Sequence, residues 1–103
     1  MDYLTFNNLA FTKHPNSAFK DCEGIQAVLL FNNGYGVSVV TAKAGSGLYG
    51  DIEENTFEIA AIRGTSLSWE LVYPENTSFK DDVCGYKTPE EITELMKELQ
   101  DLK

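Results

Sequence analysis

The residue types that carry most enzyme chemistry are scarce in this chain of 103 residues, which holds one histidine and two cysteines. A catalytic triad needs a histidine beside a nucleophile and an acid, and a zinc site needs a histidine or cysteine with further good ligands. The single histidine, His14, and Cys22 are separated by a segment without ligand spacing. We therefore predict no catalytic residue, no metal site and no cofactor, and we expect the protein not to be an enzyme.

A glycine motif follows directly after a predicted strand. Residues 45–50 read Gly-Ser-Gly-Leu-Tyr-Gly, which matches the dinucleotide fingerprint G-x-G-x-x-G. In that fingerprint the glycines open a helix whose N-terminus faces the pyrophosphate. Here the next residues are acidic and lead into a strand, so we predict a flexible loop instead. Its Leu48 and Tyr49 are candidates for contact with a partner, because loops often carry function.

Negative charge is concentrated in the second half of the chain. The formal net charge is −8; residues 1–50 hold three acidic and three basic side chains, whereas residues 51–103 hold thirteen acidic and five basic ones. Such a surface repels a phosphate backbone, so we predict no direct nucleic-acid binding. The carboxylates of Asp51, Glu53 and Glu54 lack the residue pattern of a calcium loop and indicate a solvated cluster. Asp81 and Asp82 precede a second aromatic, Tyr86, and mixed loops of this kind suit protein recognition.

The cysteines and the N-terminus indicate the compartment. Two cysteines are too few for a disulfide scaffold, so free thiols in a reducing cytoplasm are expected, with a single Cys22–Cys84 disulfide as the alternative. The N-terminus has neither the basic lead nor the apolar stretch of a secretory signal. No segment approaches the roughly 18 apolar residues that a membrane span requires, so no membrane association is expected.

Hydrophobic periodicity predicts a single α+β domain with a four-stranded antiparallel sheet of two hairpins and a C-terminal helix packed on one face. Residues 1–23 are expected to form an irregular arm, with a short strand in it as the alternative, residues 24–73 the hairpins and residues 88–102 the helix. The first hairpin turns at residues 32–34, where Gly34 supplies the positive φ of a three-residue bulged loop. In this register Ala27, Leu29, Val37 and Val39 share the core face.

The second hairpin alternates apolar and polar residues on both sides of a predicted turn at residues 63–65. Pro74 is expected to end its second strand, because proline cannot continue a ladder. Residues 75–87 then form a loop. Three of its apolar side chains are expected to pack against the sheet, namely Phe79, Val83 and Tyr86.

The start of the helix has the clearest local signal in the chain. Thr88 can cap the helix, Pro89 suits its first position, and Glu91 lies where a capping-box carboxylate reaches back to the cap. The apolar residues behind this start recur at the spacing of one helical face: Ile92, Leu95, Met96, Leu99 and Leu102. This face is predicted to cover the sheet.

Several blocks of the sequence together resemble a group of small accessory proteins encoded by tailed bacteriophages. The most specific block is Asn-Gly-Tyr-Gly-Val-Ser-Val-Val at residues 33–40, and the others lie at residues 49–50, 56–60, 81–86 and 88–96. The resemblance implies a product made inside an infected bacterium and outside the virion, where short proteins often redirect or block host systems. It implies no catalytic residue.

These observations predict a small non-enzymatic protein that docks an acidic surface onto a basic groove of a host protein, such as a defence or nucleic-acid-handling component, and modulates or inhibits it. The expected partner-binding residues are Tyr49, Asp51, Glu53, Glu54, Asp81, Asp82 and Tyr86, with the two tyrosines as apolar anchors. The alternative is a protein that binds or sequesters a nucleotide-like signal in a pocket formed with residues 45–50. Both readings place the protein in the host bacterial cytoplasm and leave homo-oligomerisation open.

Overall fold

The computed structural model describes residues 2–16, 19–80 and 84–102. One antiparallel sheet and one C-terminal helix form the domain, so the predicted α+β class is confirmed. The strands are β1 (Thr12–Lys13), β2 (Ile25–Leu30), β3 (Tyr35–Thr41), β4 (Phe57–Gly64), β5 (Trp69–Leu71) and β6 (Cys84–Lys87), and the helix is α1 (Pro89–Gln100). The predicted count of four strands was wrong, because β1 comes from the N-terminal arm and β6 from the predicted loop. Within the described ranges, no helix has the length and apolar character needed to cross a membrane.

Two short strands share one edge of β4. The sheet order is β1-β2-β3-β4-β5, and β6 also pairs with β4. β5 pairs with the end of β4, from Ile62 to Gly64, whereas β6 pairs with its start at Phe57 and Ile59. β5 and β6 therefore lie one after the other along the same edge and run in the same direction, and the loop between them leaves this edge and rejoins it.

The first hairpin has the predicted register. Ala27 pairs with Val39 and Leu29 with Val37, and the cluster of buried side chains includes both valines. The amide of Phe31 donates to the carbonyl oxygen of Tyr35 at 2.7 Å, and Gly34 has a φ of 88°. This hydrogen bond closes the three-residue loop that the sequence indicates. Gly34 is suited to its position, because only glycine adopts this φ without steric cost.

The second hairpin turns later than predicted. β4 continues through Gly64, and the turn lies between Thr65 and Ser68, whose backbone groups are joined by hydrogen bonds of 2.9 and 3.2 Å. The hydroxyl oxygen of Thr65 accepts from the amides of Leu67 and Ser68 at 3.3 Å each. This local bonding stabilises a turn at residues 65–68, so the predicted turn at residues 63–65 was wrong.

The helix begins at the predicted capping box. Thr88 Oγ1 accepts from the amide of Glu91 at 3.3 Å, and Glu91 Oε1 accepts from the amide of Thr88 at 3.0 Å. At the other end, Asn33 Nδ2 donates to the carbonyl oxygens of Leu99 (2.8 Å) and Leu102 (2.9 Å), so the hairpin loop satisfies two terminal carbonyls of the helix. The predicted apolar face is confirmed. Its buried members Ile92, Leu95, Met96 and Leu99 pack with Val37, Val39, Ile59 and Ala61.

The capping box makes the stability of the protein depend on pH. The hydrogen bond from the Thr88 amide holds the pKa of the Glu91 carboxyl below its usual value. The stability from this carboxylate is thus fully present above the unfolded pKa of about 4.3 and is lost as pH falls through the lower folded pKa. We expect the melting temperature of Glu91→Gln to fall less than that of the wild type when the pH is lowered through this range. Circular dichroism melts at a series of pH values measure this difference.

Glu90→Gln is the matched control, because it removes the same charge from the first helical turn while leaving the capping box intact. Its melting temperature should follow the wild-type pH profile. Parallel losses of melting temperature in the wild type and Glu91→Gln would show that the capping carboxylate contributes nothing to acid sensitivity.

The N-terminal arm packs against the core and the helix. A short 3-10 helix spans Phe6–Asn8, and the partly buried side chains Leu4, Phe6, Leu9 and Phe11 contact the core cluster. Gln100 fixes the arm, because its side chain donates to the carbonyl oxygen of Leu4 and accepts from the Leu4 amide, both at 2.8 Å. The arm is therefore tied to the end of α1 as well as paired with β2 through β1.

Candidate protein-binding site

The face of the sheet opposite α1 carries three exposed apolar side chains, and we call it the open face. Strand pairing places Val28 beside Ser38, and Ser38 beside Ala60, on this face. Trp69 pairs with Gly64 and Leu71 pairs with Ile62, so the side chains of Trp69 and Leu71 also lie on the open face. Val28, Trp69 and Leu71 are each more than one-third exposed. Single exposed apolar residues such as Val28 are ordinary, whereas neighbouring ones such as Trp69 and Leu71 suit contact with another protein.

Two exposed tyrosines meet at the start of β4, beside the open face. Their rings form an edge-to-face contact, with centroids 6.4 Å apart and an interplanar angle of 64°. The amide of Tyr49 donates to Glu58 Oε1 at 3.0 Å, and the amide of Tyr86 donates to the Tyr49 carbonyl oxygen at 2.7 Å. Both tyrosines stay more than half exposed. We call Tyr49, Glu58 and Tyr86 the aromatic corner.

An irregularity in β6 points Tyr86 into this corner. The pairing of β6 with β4 shifts register between Phe57 and Ile59, and Tyr86 has a φ of 53°. A positive φ is unfavourable for a bulky residue and costs about 1–3 kcal/mol. Gly85 completes the arrangement, because a Cβ there would lie 2.6 Å from the Cβ of Tyr49. Strand bulges that redirect a side chain are enriched at functional sites, so the strained tyrosine indicates a role beyond stability.

An ordered acidic turn adjoins the aromatic corner. It spans residues 51–56, two residues after Tyr49, and is closed by hydrogen bonds from the Asp51 amide to the carbonyl oxygen (3.1 Å) and hydroxyl (3.0 Å) of Thr56. Asp51 Oδ1 also accepts from the amide of Glu53 at 3.0 Å. Glu53 and Glu54 are exposed. The ion pairs of the described residues are Lys43–Glu23 and Lys97–Glu94, so these carboxylates are available to a partner.

The structure brings together most of the partner-binding residues predicted from the sequence. Tyr49 and Tyr86 are in contact, and the acidic turn holds Asp51, Glu53 and Glu54 beside them. Asp81 and Asp82 lie outside the described residues. Glu58 was not predicted as a site residue, because it occupies a polar position of β4 where alternation alone indicates only solvent exposure. Gly85 was not predicted either, because its need for close packing depends on a loop 36 residues earlier.

The described part of the chain offers neither an activated cysteine at Cys84 nor a cluster of metal ligands. Both cysteines are free, and Cys84 Sγ lies 3.7 Å from the carbonyl oxygen of Ser78. Burial raises the pKa of the Cys84 thiol, although Lys87 opposes this, so the reactive thiolate is disfavoured. No group of three or more histidine, cysteine, aspartate or glutamate side chains is placed to hold a metal ion in the ranges described.

The glycine motif does not open a helix. Residues 44–49 form turns and bends in which Gly45 and Gly47 have φ values of 92° and 93°. The chain then enters the acidic turn and β4, so the backbone groups that bind pyrophosphate in a dinucleotide site are not assembled here. Two open cavities lie elsewhere. One is beside Lys13 and Lys20, and the other is between the N-terminal arm and Asn33.

Comparisons with protein-family models, with curated proteins and with solved structures found no match for this chain. The resemblance to phage accessory proteins stays a prediction.

Proposed function

We propose that this chain is a non-enzymatic binding protein that docks the aromatic corner and the acidic turn onto a basic surface of another protein. The observation that carries the proposal is Tyr86, which is 58% exposed, held at a φ of 53° and in contact with Tyr49. Tyrosine supplies a large contact area at low entropic cost and is enriched among the residues that dominate binding energy. Tyr86 is therefore suited to insert into a pocket of the partner and to supply much of the binding energy.

The charge of the site specifies the chemistry of the partner. Asp51, Glu53 and Glu54 follow Tyr49 of the aromatic corner within five residues, and the whole chain has a net charge of −8. Such a surface attracts a partner whose lysines and arginines face outward, and it accelerates the encounter between the two proteins. The tyrosines then supply the apolar contact that fixes orientation. A groove that normally receives phosphate groups has this combination of basic rim and stacking surface.

The resemblance to phage accessory proteins supplies the biological setting of this proposal. In that setting the partner is a host protein, with a defence or nucleic-acid-handling component as the leading candidate, and binding blocks or redirects it. The proposed mechanism needs no reaction, because occupying the basic groove excludes its usual anionic ligand.

Capture from bacterial lysate at increasing salt tests the electrostatic part of the proposal. Glu53→Gln combined with Glu54→Gln removes two exposed charges from the acidic turn, and we expect it to weaken capture of the partner about tenfold. Capture by the wild type should fall as salt rises, because the Debye length shrinks to about 3 Å at 1 M. Quantitative mass spectrometry of the captured proteins, followed by titration with the purified partner, provides the measurement.

Glu75→Gln combined with Glu90→Gln is the matched control, because both glutamates are exposed and lie outside the acidic turn and β5. This variant should capture the partner as the wild type does. Capture that is insensitive to salt, or that both pairs of substitutions weaken equally, would refute a role for the acidic turn.

A further inference from the structure

A cleft beside the N-terminal arm concentrates positive charge in this acidic protein. It encloses about 640 Å³ and is lined by Lys13, His14, Pro15, Lys20, Glu23, Gly24 and Ile25. We infer that this cleft binds a small organic phosphate, with an apolar body and a dianionic head. Its volume falls within the range of roughly 300–1,000 Å³ typical of ligand pockets.

The charges of the cleft carry the inference. Residues 1–50 contain three lysines and no arginine, and all three lysines lie at or beside this cleft. Lys13 and Lys20 line it, and Lys43 pairs at 3.6 Å with Glu23, the acidic residue of its described lining. Among the described residues, neither Lys13 nor Lys20 has an acidic partner. The lining therefore keeps two uncompensated ammonium groups, which suit a dianion better than a carboxylate.

The histidine and the apolar walls complete the chemistry. His14 Nδ1 accepts from the amide of Asn16 at 3.0 Å, which leaves Nε2 as the ring nitrogen that donates. The ring is held by an edge-to-face contact with Phe19, with centroids 4.7 Å apart. Pro15 and Ile25 supply apolar surface for the body of the ligand. The other cavity is a poorer candidate, because the amide side chains of Asn33 and Gln100 that line it are already hydrogen-bonded within the chain.

The cleft is separate from the aromatic corner. It lies at the start of β2, whereas the corner lies beside β6, and β3 and β4 run between these two strands. Glu58 of the corner pairs with Val40, and Val40 pairs with Gln26 of β2, so two strand intervals of about 4.8 Å, roughly 10 Å, separate the two sites across the sheet. The described lining of the cleft shares no residue with the corner, so the inference stands independently of the proposed protein partner.

Proton NMR of the imidazole ring tests the inference directly, because the chain contains a single histidine. The probe is phenyl phosphate, added at constant ionic strength and above the second phosphate pKa of about 6. We expect a saturable shift of the His14 ring signals, weaker binding of benzoate and the weakest binding of phenol. Lys13→Gln and Lys20→Gln should each reduce the affinity for phenyl phosphate about tenfold, since each removes a charge-assisted contact.

Lys80→Gln is the matched control, because it removes one exposed positive charge away from the cleft, and it should leave the affinity unchanged. Backbone amide spectra of all three variants verify that they stay folded. The absence of a saturable shift, equal affinity for phenol and phenyl phosphate, or equal losses in Lys13→Gln and Lys80→Gln would overturn the inference.

Discussion

Phe79→Ala is expected to lower the free energy of unfolding by about 3–5 kcal/mol, which is the range for removing a fully buried aromatic ring. Phe79 is 1% exposed and is one of the largest completely buried side chains, although it lies in the loop between β5 and β6. The loop is fixed around it, because Thr77 Oγ1 donates to the Pro74 carbonyl oxygen at 2.7 Å and accepts from the Phe79 amide at 3.2 Å. The surrounding atoms therefore cannot easily collapse into the cavity.

Urea titration and thermal melts measure this effect. A domain of this size is typically stable by about 5–15 kcal/mol, so the substitution removes a large share of the total. The melting temperature should fall by more than about 12 °C. Leu67→Ala is the control, because Leu67 is also in a loop but is 96% exposed, and its effect should stay within about 0.5 kcal/mol. Equal losses in both variants would mean that the ring of Phe79 does not anchor the core.

Tyr86→Gly is expected to weaken partner binding about 30-fold while leaving stability nearly unchanged, because an aromatic hot spot contributes about 2 kcal/mol or more. Glycine adopts the φ of 53° at this position without strain. The relief of about 1–3 kcal/mol offsets the lost ring contact with Tyr49 and the greater freedom of the unfolded chain. The free energy of unfolding should therefore change by less than about 1 kcal/mol.

This separation of binding from stability distinguishes a functional tyrosine from a structural one. Isothermal titration with the purified partner gives the affinity, and urea titration of the variant alone gives the stability. Leu67→Ser removes a comparably exposed apolar side chain from the β4–β5 turn and should preserve binding. If Tyr86→Gly binds the partner as tightly as the wild type, the aromatic corner is not the contact surface.

Local sequence signals were sufficient for the first hairpin and for the start of the helix. The capping box at Thr88 and the first hairpin with Gly34 were predicted correctly, because their hydrogen bonds join residues close in sequence. β6 could not be predicted in this way. It has only four residues, and its pairing with β4 shifts register. Gly85 also has no side chain, so β6 shows no alternation of apolar and polar residues. The arm strand β1 has two residues, which is too short for a periodic pattern.

The site was predictable in its composition and not in its geometry. The sequence indicates Tyr49 and Tyr86 as exposed aromatics beside acidic residues, but nothing local to either one indicates that their rings meet across 37 positions. Their contact depends on Gly85, on the shifted pairing of β6 and on the bond from the Tyr49 amide to Glu58. Phe79 was correctly predicted to pack inward, whereas Tyr86, also predicted to do so, is exposed, and Val83 lies outside the described residues.

Amide NMR of the isotopically labelled chain, titrated with the captured partner, tests the central claim most directly. We expect the largest changes at residues 49–58 and 84–87, which contain the aromatic corner and the acidic turn, with smaller changes along β5. Changes concentrated instead on the exposed side of α1, around Glu90 and Glu94, would contradict the proposed binding surface.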